Sequence, residues 1–218
     1  MELLREIDGY CERLGAGYWA EPVNAVTNAA FVIAAIWMWR RSGGVPMARA
    51  LSVVLFAIGV GSYLFHTHAQ VWAAIADVVP IAAFILLYLF AINRDVWGMT
   101  LWAALLGTVL FLPYAALTIP LWAGMPVFGV SAGYMPVPTL ILIYAALLRF
   151  RQPQVARGFV IGAVILLVSL FARSVDEAWC AAIPGGTHFA WHILNGVMLG
   201  WMIEVYRRHA LEGAQTAR

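Results

Sequence analysis

Two histidines near the end of the chain have the spacing of a pair of ligands on one helix. His188 and His192 are four residues apart in an apolar run that continues to Tyr206. If this run is helical, both imidazoles point to the same side. Histidine is costly inside a membrane span, where such residues usually face the bundle interior and mark a functional site. The spacing therefore predicts that both side chains belong to one site.

Three further polar residues lie in apolar stretches nearer the start of the chain. Ser62 and His66 are again four residues apart, and Asp77 is the one ionisable residue in the stretch 71–80. His66 lies near the end of its stretch, whereas Asp77 and His192 each lie about six residues inside theirs, roughly 9 Å at 1.5 Å per residue. We expect these groups to meet at one level of a helix bundle.

The side chains in this set suit a hydrolytic metal centre. Three imidazoles with an open fourth position are the ligand set of catalytic zinc, which lowers the pKa of a bound water to about 7. A nearby carboxylate can take the proton of that water, and a hydroxyl can donate to a developing oxyanion. The predicted ligands are His66, His188 and His192, with Asp77 as the base and Ser62 as the donor. The alternative is that each polar group separately bridges two helices by hydrogen bonding.

The other two histidines are not predicted to be ligands. His68 is two residues from His66, so on a helix it points away from it. His209 follows Arg207 and Arg208 and is expected to be a solvated residue of the tail.

The composition is that of a protein that crosses a membrane several times. Of 218 residues, 63% are hydrophobic and 11% are charged, against about 45–50% apolar residues in an ordinary soluble domain. The net charge is only +2 and the arginines form no stripe that could follow a phosphate backbone, so no nucleic-acid partner is predicted. No linker or repeat divides the chain, so we predict a single domain over residues 1–218.

The apolar segments predict an all-α integral membrane fold, a bundle of seven transmembrane helices. Their approximate bounds are 23–39, 50–68, 71–92, 99–118, 127–148, 158–171 and 187–206. Alternating crossings place most arginines on one side, which is cytoplasmic by the positive-inside rule. These are Arg40, Arg41, Arg49, Arg94, Arg149, Arg151, Arg157, Arg207 and Arg208. The N-terminus, with a leader of residues 1–22, is therefore predicted outside, and the C-terminus, with a tail of residues 209–218, in the cytoplasm.

The two cysteines of the chain lie on the same predicted side. This topology puts Cys11 and Cys180 outside the cytoplasm, where a disulfide can form and would tie the leader to the start of the last span. The alternative is a pair of buried free thiols. Asp176 and Glu177 lie near Arg173 in the sequence, and we expect an ion-pair group there.

These motifs together resemble a known family. They are Cys11-Glu12, Ala20-Glu21-Pro22-Val23-Asn24, the stretch from Gly61 to His66, Asp77, Asp176 with Cys180, and His188-Phe-Ala-Trp-His192. The chain resembles the bacterial branch of the alkaline ceramidase family, within the seven-span zinc hydrolases that include adiponectin-type receptors. The resemblance extends from about residue 7 to 207.

The resemblance implies a role for each of these residues. It implies zinc (Zn²⁺) ligation by His66, His188 and His192, with Asp77 as the base and Ser62 as the oxyanion donor. It also implies the disulfide between Cys11 and Cys180.

A calcium (Ca²⁺) site in the leader is a further implication of the resemblance. Animal members bind calcium through acids that fall here on Asp8, Glu12 and Glu21, and oxygen ligands suit that ion. The match is looser at this point, because Leu14 stands where an Asn ligand is expected. The alternative is an acidic leader that makes local salt bridges with its own arginines, Arg5 and Arg13.

The expected function is a zinc-dependent intramembrane amidase. It would hydrolyse the N-acyl bond of a ceramide-like membrane lipid, a sphingolipid, and release a fatty acid and an amine. The expected location is a bacterial inner membrane, with the active site toward the extracytoplasmic side. The alternatives are a related seven-span receptor or transporter with a structural zinc, and a haem-bearing electron carrier that uses histidines of separate spans as axial ligands.

Overall fold

The computed structural model describes residues 2–216, and side chains as far as Gly213. Residues 1, 217 and 218, the ends of the predicted leader and tail, lie outside the described part. The described chain forms nine α-helices. Their bounds are α1 Pro22–Thr27, α2 Ala29–Arg41, α3 Pro46–His68, α4 Val71–Ala91, α5 Leu101–Val109, α6 Phe111–Ala123, α7 Pro136–Leu148, α8 Pro153–Ser174 and α9 His188–Thr216.

Five helical segments of the described chain are long and apolar enough to cross a membrane. They are Pro22–Arg41, Pro46–His68, Val71–Val96, Leu101–Ala123 and Pro153–Ser174. Two more helices fit the expected bundle, but α7 is only 13 residues long, and α9 carries His188, His192, Asn195 and Glu204, which lower its hydropathy. The all-helical class is confirmed for the described residues, and the five apolar segments are compatible with a protein that crosses a membrane several times. The count of seven spans and the sides of the two termini stay predictions.

Several expected helix bounds differ from the observed ones. The first span is interrupted at Asn28, which separates α1 from α2, and the fourth at Leu110, which separates α5 from α6. The fifth was expected from residue 127, which is wrong, because the helix begins only at Pro136. Glycines and a proline in 124–133 favour turns there, and proline is preferred at the first position of a helix. The tail, in turn, continues α9 as far as Thr216.

The pair α3 and α4 packs unusually closely where the predicted site residues lie. A methyl group on Gly61 of α3 would overlap the backbone carbonyl of Ala76 on α4. The chain reverses between the helices at Ala69, which adopts a left-handed conformation with φ 45°. Because Gly61 has no side chain, α3 and α4 can approach closely at this point. Ser62 follows Gly61 on α3, and Asp77 follows Ala76 on α4.

The leader is attached to the bundle by backbone hydrogen bonds and by a disulfide. The first N–H groups of α4 have no partner inside their helix, and those of Val71 and Trp72 donate to the carbonyls of Arg5 and Leu3, each at 3.1 Å. The predicted disulfide is present and joins Cys11 to Cys180, with the two Cα atoms 5.5 Å apart. The leader therefore lies across the helix ends next to the start of α9.

The close approach of α3 and α4 can be tested with Gly61→Ala. The added methyl group meets backbone, which cannot move aside as a side chain would, and overpacking of this kind costs about 1–3 kcal/mol. We expect the melting temperature in detergent to fall by several degrees, at about 2–4 °C per kcal/mol for a chain of this size.

Gly43→Ala is the matched control, because nothing lies within 4 Å of a methyl group at that position. Equal melting temperatures for the two variants would contradict the close packing of α3 and α4.

Candidate metal centre

Three imidazoles from two helices converge in the interior. His66 comes from the last turn of α3, and His188 and His192 come from the first turns of α9. One nitrogen from each ring can be chosen so that all three lie within 4.8 Å of one another. Their exposed fractions are 1%, 1% and 0%. The predicted convergence of these histidines, including the shared face of His188 and His192, is present in the structure.

Oxygen atoms from the start of the first span hold two of these rings. Nδ1 of His66 lies 2.5 Å from a carboxylate oxygen of Glu21, and Nδ1 of His192 lies 2.9 Å from Oγ1 of Thr27. The Thr27 hydroxyl donates to the carbonyl of Val23 at 2.8 Å, so it accepts from the His192 ring. The carboxylate likewise accepts from His66. Both rings thus carry their proton on Nδ1.

The remaining nitrogens of these two rings face each other. Nε2 of His66 and Nε2 of His192 are 3.0 Å apart. With the protons on Nδ1, both Nε2 atoms present lone pairs, which repel unless a proton or a cation lies between them. In addition, Nδ1 of His188 is buried and has no hydrogen-bond partner among the described residues.

The donor set fits a metal ion of the zinc type. Neutral imidazole nitrogens are preferred ligands of zinc, and a ligating histidine usually donates its other N–H to a carboxylate, carbonyl or water. Glu21 and Thr27 provide that kind of support for His66 and His192. The cluster can therefore hold a metal ion through His66, His188 and His192.

Asp77 and Ser62 both line one cavity, together with residues before and after His192 on α9. The cavity has a volume of about 50 Å³, and its wall also includes Trp191 and Asn195. The hydroxyl of Ser62 and the ring of His66 are both close enough to the Asp77 carboxyl to interact with it. Oδ1 of Asp77 is buried without a hydrogen-bond partner among the described residues, so this oxygen is available to a ligand in the cavity.

A second cavity, lined by apolar and aromatic side chains, adjoins the first. It has a volume of about 70 Å³, and its wall includes Tyr88 and Tyr144. The two cavities share wall residues, which are Phe84, Ile85, Val137, Met198 and Leu199. A nearly continuous apolar path therefore leads away from Asp77.

Tyr10 of the leader covers the histidine cluster. Its ring stacks on His188 with the centroids 3.9 Å apart and lies 5.1 Å from His66. Burial raises the pKa of Tyr10 well above its usual value, and the nearby Arg173 only partly offsets this. Tyr10 therefore stays neutral and shields one side of the cluster from solvent.

Asp176 fixes the start of α9 and hence the two histidines of that helix. Its carboxylate accepts from the backbone N–H groups of Thr187 at 2.6 Å and His188 at 2.8 Å. It also accepts from the N–H of Cys11 at 2.9 Å. Gly186 has φ +66°, and a side chain there would collide with Asp176. One buried carboxylate thus links the leader to the first metal-ligand candidate of α9.

The expected ion pair between Arg173 and Asp176 or Glu177 is wrong. The Asp176 carboxylate accepts hydrogen bonds from backbone N–H groups instead. Arg173 makes no ion pair with either acid in the described structure. The guanidinium donates instead to Oγ of Ser131 at 3.1 Å and lies 5.2 Å above the ring of Tyr134.

Two histidines lie outside the cluster, as predicted. His68 is exposed, and its ring makes an edge contact with Trp72, with the centroids 5.0 Å apart. His209 lies 3.4 Å from the carbonyl of Asp95, far along α9. Neither belongs to the group of histidines that could hold a metal ion.

The leader acids do not gather into a second metal site. Among the described residues, only His66, His188 and His192 bring three potential ligand atoms together, and Asp8, Glu12 and Glu21 do not. Both oxygens of Glu12 accept from the first N–H groups of α1, at 2.6 Å from Val23 and 2.8 Å from Asn24. The calcium site that the resemblance implied is not confirmed.

Glu21 has a role that the sequence analysis missed. It was considered only as a calcium ligand, but it is 2% exposed and lies between His66 and Arg13. Burial by itself would raise the pKa of Glu21, but the hydrogen bonds to His66 and Arg13 lower it below its usual value. The signals for this role in the sequence are the place of Glu21 in the motif Ala20-Glu21-Pro22-Val23-Asn24 and its position directly before the first span.

A family model described as Ceramidase matches residues 9–217, nearly the whole chain. No curated protein matches the sequence.

The support of His192 by Thr27 can be tested with Thr27→Val. This change keeps the shape of the side chain but removes the oxygen that accepts from Nδ1. Loss of such a partner typically lowers metal affinity about 10- to 100-fold, and we expect a loss in that range in zinc competition titrations.

Thr118→Val is the matched control, because among the described residues the Thr118 hydroxyl bonds only to its own helix, at 2.8 Å from the carbonyl of Tyr114. If Thr27→Val bound zinc as tightly as the control, the hydrogen bond to His192 would have no part in metal binding.

Proposed function

Since the chain belongs to the ceramidase family, we propose that it is a zinc-dependent hydrolase of the membrane that cleaves the N-acyl bond of ceramide-like lipids. The products are a fatty acid and an amine. The observation that carries the proposal is the convergence of His66, His188 and His192 next to the buried carboxyl of Asp77. The family itself supports a hydrolase of lipid amides.

In this proposal His66, His188 and His192 would hold the ion. Zinc bound in this way supplies a Lewis acid and makes water a nucleophile near neutral pH. Glu21 and Thr27 keep the rings of His66 and His192 in the tautomer that presents Nε2. Tyr10 and the apolar surroundings exclude bulk water, which strengthens every electrostatic interaction in the site.

Asp77 acts as the base of the reaction. Its Oδ1 atom, which has no hydrogen-bond partner among the described residues, accepts a proton from the attacking water as the new C–O bond forms, and the amide carbon becomes tetrahedral. When the C–N bond breaks, the same carboxyl gives the proton to the departing amine. Ser62 donates its hydroxyl proton in a hydrogen bond to the carbonyl oxygen, on which negative charge develops.

The apolar path from Asp77 is the place for the acyl chain. Its shared walls, which include Phe84, Val137 and Met198, offer hydrocarbon contact without polar groups. The acyl chain of a membrane lipid already lies in hydrocarbon, so close packing against these walls, and not release from water, would hold the amide next to Asp77. The substrate is therefore a membrane lipid, and the reaction takes place within the bilayer. The outer-leaflet location and the bacterial inner membrane follow from the arginine distribution and the resemblance, and they are part of this proposal.

The geometry disfavours the haem alternative. Axial ligands of one haem lie on opposite faces of its ring, but Nε2 of His66 and Nε2 of His192 are only 3.0 Å apart. No macrocycle fits between them. A receptor or transporter with a structural zinc is separated from the enzyme by incubation with N-acyl lipids and mass spectrometry of released fatty acid.

Substitution of a proposed ligand and substitution of the proposed base should differ in their effect on bound zinc. His192→Ala should lose both bound zinc and activity, whereas His68→Ala, which removes an exposed histidine, should keep both. Asp77→Asn should keep zinc, because Asp77 is not a ligand, but lose turnover by about 10²- to 10⁴-fold, the usual contribution of a general base. Zinc is measured by mass spectrometry of the metal and activity by fatty-acid release.

A zinc-loaded Asp77→Asn protein with full activity would contradict the assignment of Asp77 as the base. An intact protein that hydrolyses no N-acyl lipid at all would contradict the proposed function.

A further inference from the structure

The side chain of Arg13 occupies the centre of a group of oxygen atoms in the leader. Its guanidinium donates through Nε to Oε1 of Glu21 at 2.5 Å, through Nη1 to the carbonyl of Gly15 at 3.0 Å, and through Nη2 to the carbonyl of His66 at 3.2 Å. The residue is only 8% exposed. One carboxylate and two backbone carbonyls therefore surround one buried positive charge.

These oxygens are of the types that bind calcium. Calcium in proteins takes carboxylate and backbone carbonyl oxygens, usually six to eight in total. A guanidinium has five N–H donors in a planar fork and carries its charge at every physiological pH. It can thus satisfy several converging oxygens while neutralising the carboxylate. The acids from which the resemblance implies a calcium site do not fit the ion here, because Glu21 is paired with Arg13 and His66, and Glu12 caps α1.

We propose that Arg13 is a built-in cation that takes the place of a calcium ion at the junction between the leader and the helix bundle. It connects the leader, through Arg13 and Gly15, with the start of α1 at Glu21 and the end of α3 at His66. The chain therefore needs no calcium for this junction.

Arg13 also acts as a positioning residue for the metal centre. The Glu21 carboxylate accepts from Arg13 with one oxygen and from His66 with the other. A buried carboxylate without this cation would be unstable, because an unpaired buried charge costs several kcal/mol. Arg13 thus holds Glu21 in the orientation that sets the His66 ring, and a second bond from Arg13 holds the carbonyl of the same histidine.

The experiment uses the full-length protein in detergent and calcium chloride as the probe. After removal of divalent ions and reloading with zinc, calcium content, zinc affinity and melting temperature are measured with millimolar CaCl₂ and, in parallel, MgCl₂. We expect wild type to retain no calcium and to melt at the same temperature in both salts. Stoichiometric calcium, or a melting temperature raised by CaCl₂ but not by MgCl₂, would overturn the proposal.

Variants test the role of the charge itself. Arg13→Gln should lower zinc affinity about tenfold or more, as loss of a supporting partner does, and Arg13→Lys should recover part of the loss. Arg5→Gln is the control, because Arg5 is an exposed arginine of the same leader. The cation role is wrong if Arg13→Gln behaves as Arg5→Gln does, or if Arg13→Lys is no better than Arg13→Gln.

The calcium titration of wild type is decisive even where a variant does not fold. None of these measurements depends on lipid hydrolysis. The role of Arg13 can therefore be wrong while the proposed function is right, and the proposed function can be wrong while the role of Arg13 is right.

Discussion

Inside an apolar helix bundle, a polar group without a partner is costly, because bulk water does not reach it. The histidine cluster meets this constraint through an ordered series of contacts from Arg13 to Glu21, His66 and His192, and finally Thr27. Each contact in this series is a hydrogen bond except the one between Nε2 of His66 and Nε2 of His192, where neither nitrogen carries a proton. The partners of the rings thus leave a place for one cation, with His188 beside it.

The leader is part of this site and not an appendage to it. Tyr10 stacks on His188, Cys11 is bonded covalently to Cys180, and Arg13 reaches the carbonyl of His66. These contacts join residues that are far apart in the sequence, so no local motif predicts them. The polar segment before the first span therefore sets both the shielding of the cluster and the orientation of one of its ligands. A change in the leader should influence metal binding even though no residue of the leader is a proposed ligand.

Local periodicity explains which parts of this arrangement the sequence predicts. His188 and His192 are four residues apart on one helix, and an isolated Asp77 in an apolar stretch is conspicuous, so both could be found without a structure. Composition predicts the helical class, and the position of the two cysteines together with the resemblance predicts the disulfide between Cys11 and Cys180. The partners of Nδ1 could not be found in this way, because Glu21 and Thr27 meet their histidines only through the packing of α1 against α3 and α9. Helix bounds were missed where turn-forming residues interrupt apolar runs, as before Pro136. The calcium site was expected from the resemblance alone. The sequence does not show that the carboxylates of Glu12 and Glu21 already accept hydrogen bonds from other groups of the protein.

We propose that the three imidazoles bind one zinc ion together with one exchangeable oxygen ligand. X-ray absorption spectroscopy at the zinc edge of the purified protein can count these ligands. We expect three nitrogen scatterers of imidazole type at about 2.0–2.1 Å and one oxygen that exchanges with added anions. A first shell with sulfur, with fewer than three imidazoles, or with four protein ligands and no exchangeable position would contradict it.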